Sequence, residues 1–120
     1  MEPKLQTSTL EELYKAILTL ENVEECRRFF DDLCTVPELK ALSQRFQVAG
    51  MLREGKVYSE IVAQTGASTA TISRVNRSLN YGADGYTIVF SRIKKWIWLV
   101  REILRSAHPE YFLWGAGGVF

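Results

Sequence analysis

The stretch Tyr58 to Leu79, YSEIVAQTGASTATISRVNRSL, leaves few folds open to this chain. Glu60 to Thr65 is helix-forming, with Ile61 and Val62 apolar, and Gly66 then interrupts it. Glycine takes the left-handed conformation that ends a helix at little cost. Ser68 is placed as the N-cap of a second helix, where its hydroxyl accepts from a backbone N–H left free by the helix start. That helix, Thr69 to Leu79, sets Ile72, Val75 and Leu79 on one face. The pattern predicts a helix-turn-helix in which Ile61, Ala67, Ile72 and Val75 meet across the turn. The opposite face carries Ser68, Thr69, Thr71, Ser73, Arg74, Arg77 and Ser78, whose hydroxyl and guanidinium groups donate to phosphates and base edges. A plain helical hairpin shares the apolar pattern, but no acid lies from Val62 to Ala83, which favours a nucleic-acid surface.

Charge is distributed in the same sense. The chain of 120 residues has a net charge of +1, with 15 Lys and Arg against 14 Asp and Glu. Residues 1–52 hold 6 basic against 9 acidic groups, and residues 53–95 hold 7 against 3. The positive excess therefore surrounds the motif, as a phosphate-facing surface requires.

The remaining segments read as helices, giving about six in an all-α chain with the helix-turn-helix at residues 58–79. Ser8 to Glu11 fits a capping box, opening a helix to about Glu21 with Leu10, Leu13, Tyr14, Ile17 and Leu18 as its stripe. Asn22 caps a second helix, with Glu24 and Glu25 in its first turn and Cys26, Phe29, Phe30 and Leu33 apolar. This pair carries more apolar surface than its length covers alone, which points to a second subunit. Thr35 caps a third helix with Pro37 in the first turn. Its inward face is Leu39, Leu42, Phe46, Ala49, Met51 and Leu52, up to a stop at Gly55. Asn80 to Gly85 is turn chemistry, with Asp84-Gly85 its clearest signal. A last amphipathic helix is expected from Tyr86 to Ser106, and residues 107–120 form a tail with no assigned role.

Other function classes find little support. No set of nucleophile, base and orienting group is recognisable, so the chain is not read as an enzyme. Cys26, Cys34 and the single histidine, His108, do not make a metal site, and no cofactor is expected. Both cysteines are read as reduced and buried in a cytoplasmic, nucleoid-associated protein. The C-terminal stripe is too short and too charged for a membrane span, which needs ~20 apolar residues.

The run TGASTATISRVNRSL, with its Gly66-Ala67 turn, Ala70-Thr71-Ile72-Ser73-Arg74 and Asn76-Arg77-Ser78-Leu79, resembles the helix-turn-helix of the trp repressor superfamily. Pro37 to Arg45 and Leu52 to Gly55 resemble the helix leading into that motif, most closely in members of the YerC/YecD type. The resemblance covers about Ser8 to Ile93 and implies a single all-helical domain that forms an intertwined homodimer on double-stranded operator DNA. It also implies a corepressor pocket, carried over in part. Arg45 and Arg74 match two arginines that sandwich an indole, Thr35 a carboxylate- or amine-side contact, and Ser78 an amino-group contact. Val75 stands where the family's tryptophan-binding member has glycine, and its isopropyl group disfavours tryptophan as a ligand.

These observations lead to one expectation: a sequence-specific transcriptional regulator, a repressor by family, acting as a homodimer. Ser68, Thr69, Ala70 and Ser73 are the candidates for base edges, Thr71 is a further DNA-binding candidate on the same face, and Lys56, Ser59 and Arg77 are candidates for phosphates. Arg74 either reaches DNA or pairs with an acid such as Glu60. The alternatives are a protein-interaction module using the C-terminal apolar helix, and a ligand-dependent repressor with an altered pocket.

Overall fold

The computed structural model describes residues 7–93. Five helices run in order: α1 (Thr7–Ile17), α2 (Val23–Leu33), α3 (Val36–Arg53), α4 (Tyr58–Thr65) and α5 (Thr69–Tyr81). A further helical segment, α6, occupies residues 85–93, and no strand occurs among the described residues. The rest of the expected last helix and the tail lie outside the described residues, as does any reading built on the C-terminal stripe. Contacts divide the chain into two compact units, with the boundary between Ser43 and Gln44.

The first unit contains α1, α2 and the start of α3. Thr7 is already helical, so Ser8 sits inside the first turn of α1 and not ahead of it as the expected cap. The helix also stops at Ile17, short of Glu21. The chain tightens there through Thr19 N–H to Ala16 O and Leu20 N–H to Ile17 O, both 3.1 Å. The Thr19 hydroxyl also donates to Ala16 O at 2.6 Å, occupying a carbonyl that a longer helix would use. Asn22 caps α2 as expected, accepting from Glu25 N–H at 2.9 Å, while the Glu25 carboxylate accepts from Glu21 N–H. Glu24 pairs with Arg27 at 2.6 Å and Arg28 at 3.2 Å on an exposed face. Phe29 and Phe30 meet edge to face, with centroids 5.6 Å apart. Neither α1 nor α2 has a buried residue. Cys26 and Cys34 are free thiols, and both are half-buried, not buried as expected.

Thr35 and Glu38 close a reciprocal cap at the start of α3. Thr35 N–H donates to Glu38 Oε1 at 2.8 Å, and Glu38 N–H donates to the Thr35 hydroxyl at 3.3 Å. The Thr35 backbone N–H, and after it the Thr35 hydroxyl, hold the Glu38 carboxyl below its ordinary value of 4.5. A lowered carboxyl pKa gives stability that is fully present above the unfolded value and is lost as the pH falls through the folded one. The expected outcome is that the thermal midpoint of the wild type falls more steeply below pH 4.5 than that of Glu38→Gln. Parallel curves for the two proteins would remove Glu38 from the acid response.

Among the described residues of the second unit, Val48, Ala49, Met51, Ile61, Ala67, Ile72 and Val75 are buried, with Leu52, Leu79, Tyr86 and Phe90 packed against them. Val48, absent from the expected inward face of α3, is fully enclosed, and Leu42, expected inside, is 44% exposed. α3 carries apolar side chains around more than one side, so its own pattern does not define an inner face. The aromatic partner of α3 is Phe90 of α6, stacked on Phe46 at 5.1 Å and 9°. Tyr86 adds a second stack on Phe90 at 6.2 Å, and the Arg53 guanidinium lies 5.0 Å from the Phe90 centroid. α3 ends at a left-handed Gly55 (φ 81), with Gly55 N–H to Leu52 O and Lys56 N–H to Met51 O closing its last carbonyls.

α5 continues through Tyr81, two residues into the expected turn, because nothing before Gly82 breaks it. Asn80 behaves as a helix-interior residue, donating to the Asn76 carbonyl at 2.9 Å. The link to α6 is then only residues 82–84, with Asp84 in the left-handed region (φ 64). The Asp84 carbonyl accepts from Ile88 N–H and so opens α6.

Candidate nucleic-acid interface

α4 and α5 are held at a fixed angle by a dry contact across a three-residue link. Ile61 and Ile72 are 0% exposed, and Ala67 and Val75 are 2% exposed. All four are the residues expected to meet there. Gly66 adopts φ 71, ψ 6, and its N–H donates to Val62 O at 2.9 Å. The Thr65 hydroxyl completes the turn, donating to Ile61 O at 2.7 Å and accepting from Ala67 N–H at 3.1 Å. Gln44 of α3 donates to the Thr65 carbonyl at 3.2 Å, so an orphan acceptor at the end of α4 is filled. α4 starts at Tyr58, two residues ahead of the expected Glu60. Its capping residue, Val57, has no side-chain acceptor, so only the Val57 carbonyl serves the first turn.

Ser68 caps α5 as expected: Thr71 N–H donates to its hydroxyl at 3.1 Å. The Ser68 hydroxyl in turn donates to the Thr71 hydroxyl, also at 3.1 Å. These two side chains, predicted to face outward as free donors, are therefore engaged with one another. Thr69, Ala70, Ser73, Arg74, Arg77 and Ser78 are exposed, and Thr71 is half-buried. Lys56 and Ser59 are exposed beside the start of α4, Ser59 within its first turn and not ahead of it. Glu60, considered as a partner for Arg74, is instead approached by Lys56 at 3.7 Å and by the Gln64 amide at 3.4 Å. The outward face of α5 thus presents two arginines and short hydroxyls with no carboxylate among them.

The residues implied for a ligand pocket have different surroundings. Thr35 belongs to the first unit and serves as the cap of α3. Arg45 is half-buried, while Arg74 and Ser78 are exposed. Val75 is part of the enclosed core of the motif.

An all-helical chain built on a helix-turn-helix, with an acid-free polar face on the second motif helix, defines the class. The family model for Trp repressor protein matches residues 8–94, and the chain belongs to that family. It is 55% identical over 92 residues to the uncharacterized protein YerC of Bacillus subtilis (strain 168), covering 77% of this chain and 88% of that one. A crystal structure of a TrpR-like protein from Eubacterium eligens matches with a TM-score of 0.72 and 57% identity, covering 74% of this chain and 92% of the other. A candidate Trp repressor from Staphylococcus aureus matches with a TM-score of 0.71 and 57% identity, over 74% and 89%.

Proposed function

We propose that the protein is a sequence-specific DNA-binding transcriptional regulator, a repressor, that docks α5 in the major groove of operator DNA as a homodimer. The observation that carries this reading is the outward face of α5, where Thr69, Ala70, Ser73, Arg74 and Arg77 are all exposed on a rigidly supported helix. A major groove admits one α-helix, and a helix docked by its N-terminal end brings its first turns to the base edges. Lys56, Ser59 and Arg77 take phosphates. The dimer is supported by the first unit, in which Leu18 is 83% exposed and no residue of α1 or α2 is buried. A second copy of those helices supplies the missing cover, and its motif reads a second half-site about 34–36 Å away.

No small-molecule corepressor is part of this reading. Val75 is committed to the core, so the side chain that would exclude an indole also helps to hold α5. Selection from a random duplex library with ligand-free protein is the decisive experiment. Enrichment of an inverted repeat with half-sites about one helical turn apart is expected. Enrichment only when tryptophan or an indole is added would overturn the ligand-free reading.

Two variants separate the kinds of contact. Thr69→Ala weakens binding to the selected operator by about threefold while leaving random DNA nearly unaffected, since one neutral base-edge contact is lost. Equal loss on both DNAs refutes that role. Arg77→Ala reduces the slope of log affinity against log salt by about one unit per protomer, because one fewer phosphate is neutralised. An unchanged slope removes Arg77 from the contacts.

A further inference from the structure

We infer that Arg74 is the principal specificity-determining residue of the interface, and that it reads a guanine in each half-site through the O6 and N7 acceptors. The inference rests on the DNA-binding reading and names what that surface recognises. Six side chains on or beside the start of α5 are candidates for direct readout by residue type: Ser68, Thr69, Ala70, Thr71, Ser73 and Arg74. The structure withdraws two of them. The Ser68 hydroxyl accepts from Thr71 N–H and donates to the Thr71 hydroxyl, so breaking this pair to reach a base would release the cap of the helix that does the reading. Losing that cap would offset most of what a single hydroxyl-to-base contact contributes.

Of the four that remain, Ala70 offers only a methyl group, and Thr69 and Ser73 offer hydroxyls that donate or accept and so discriminate weakly. Arg74 alone presents a planar fork of donors, the geometry that matches guanine O6 and N7 together. Its position suits that role. Arg74 follows Ala70 by one turn on the exposed side of α5, about 6 Å further along the axis. Ala70 and Arg74 therefore address base pairs about two steps apart along the groove. Arg77 lies about 12 Å from Thr69, beyond the reading end and towards the flanking backbone.

The guanidinium is also free to act. Glu60, the acid nearest in the motif by sequence, is approached by Gln64 and, without DNA, by Lys56; no ion pair among the described residues involves Arg74, and no carboxylate stands from residue 62 to residue 83. No described carboxylate therefore competes with the base for Arg74. Val75, the next residue along, is buried and fixes the rotation of α5 about its own axis. A helix rotation set by Ile72 and Val75 sets the direction of Arg74 as well.

The test uses full-length protein and operators obtained by random-duplex selection. The selected half-site is expected to contain an invariant guanine. Replacing that guanine by 7-deazaguanine, which lacks the N7 acceptor, should weaken wild-type binding about tenfold, whereas Arg74→Ala should bind both duplexes alike. Selection with Arg74→Ala should lose preference at that one position and retain it at the others. A uniform loss across all duplexes, with the guanine preference intact, would make Arg74 a phosphate contact and overturn the inference while leaving the DNA-binding reading standing. No effect of 7-deazaguanine on the wild type would overturn it without relying on any variant. Failure of every duplex to enrich would sink the DNA-binding reading, and the inference with it.

Discussion

Ile72→Ala is expected to lower the unfolding free energy by about 3 kcal/mol, within the range found when a buried isoleucine is cut to alanine. Ile72 is 0% exposed, and it is one of seven buried core residues among the described residues. Each large side chain of a close-packed core supports its neighbours, and truncation leaves a void that the surrounding structure refills only in part. Ile72 also lies at the junction of both motif helices, in one core with Ile61, Ala67 and Val75. Its truncation therefore frees α5 to rotate and tilt as well as weakening the packing. Urea denaturation followed by circular dichroism gives the magnitude, with Ser73→Ala as the control. Ser73 is the next residue along and is exposed, so its loss should stay within about 0.5 kcal/mol. A loss for Ile72→Ala no larger than the control would mean that the contact across the turn does not hold the motif. On the proposed function, the same variant loses operator binding at temperatures where it is still folded, because the readout depends on the direction of α5.

The parts of the fold that could be read from the chain are those in which cause and effect are close in sequence. Ile61, Ala67, Ile72 and Val75 are near neighbours along the chain, and helical periodicity with a single turn brings them to one side. The caps at Asn22, Thr35 and Ser68 and the left-handed Gly66 were legible for the same reason. What was not legible depends on pairings across long separations. Phe46 on α3 finds Phe90 on α6, and Val48 is enclosed by elements that its own helix does not foreshadow. Gln44 reaches the Thr65 carbonyl by the same kind of long-range contact. At the candidate interface, residue type identified the polar face, but it could not show that Ser68 and Thr71 would satisfy each other. A hydroxyl counts as a free donor until its neighbour's position is known. The end of α1 was not legible because the Thr19 hydroxyl competes for a backbone carbonyl, a contest that apolar periodicity does not register.

Gly82→Ala is expected to cost more than Gly66→Ala, although backbone conformation alone would rank them in the opposite order. Gly66 has φ 71, so any Cβ there incurs the left-handed penalty of about 1–2 kcal/mol. Nothing lies within 4 Å of that Cβ, so the backbone penalty is the whole cost. Gly82 has an ordinary negative φ of −87, and the left-handed argument for glycine does not apply to it. Its constraint is steric. A Cβ on Gly82 would run into the carbonyl oxygen of Ser78, the same oxygen that accepts the Gly82 N–H at 3.0 Å. The neighbouring atoms are backbone and cannot rotate aside. Relief therefore requires breaking that hydrogen bond and unwinding the last turn of α5, or displacing the 82–84 link that leads into α6. The first route costs about 1 kcal/mol for the bond itself, with the freed carbonyl adding about as much again if it stays out of reach of water. The second route moves Tyr86 and Phe90 off the core, which adds a packing term. A total of about 2–4 kcal/mol follows for Gly82→Ala, against about 1–2 kcal/mol for Gly66→Ala. Paired urea titrations of the two variants measure the difference. The order matters physically: if Gly66→Ala proved the more damaging, the link after α5 would be able to yield at little cost, and α6 would not be held to the core by its entry.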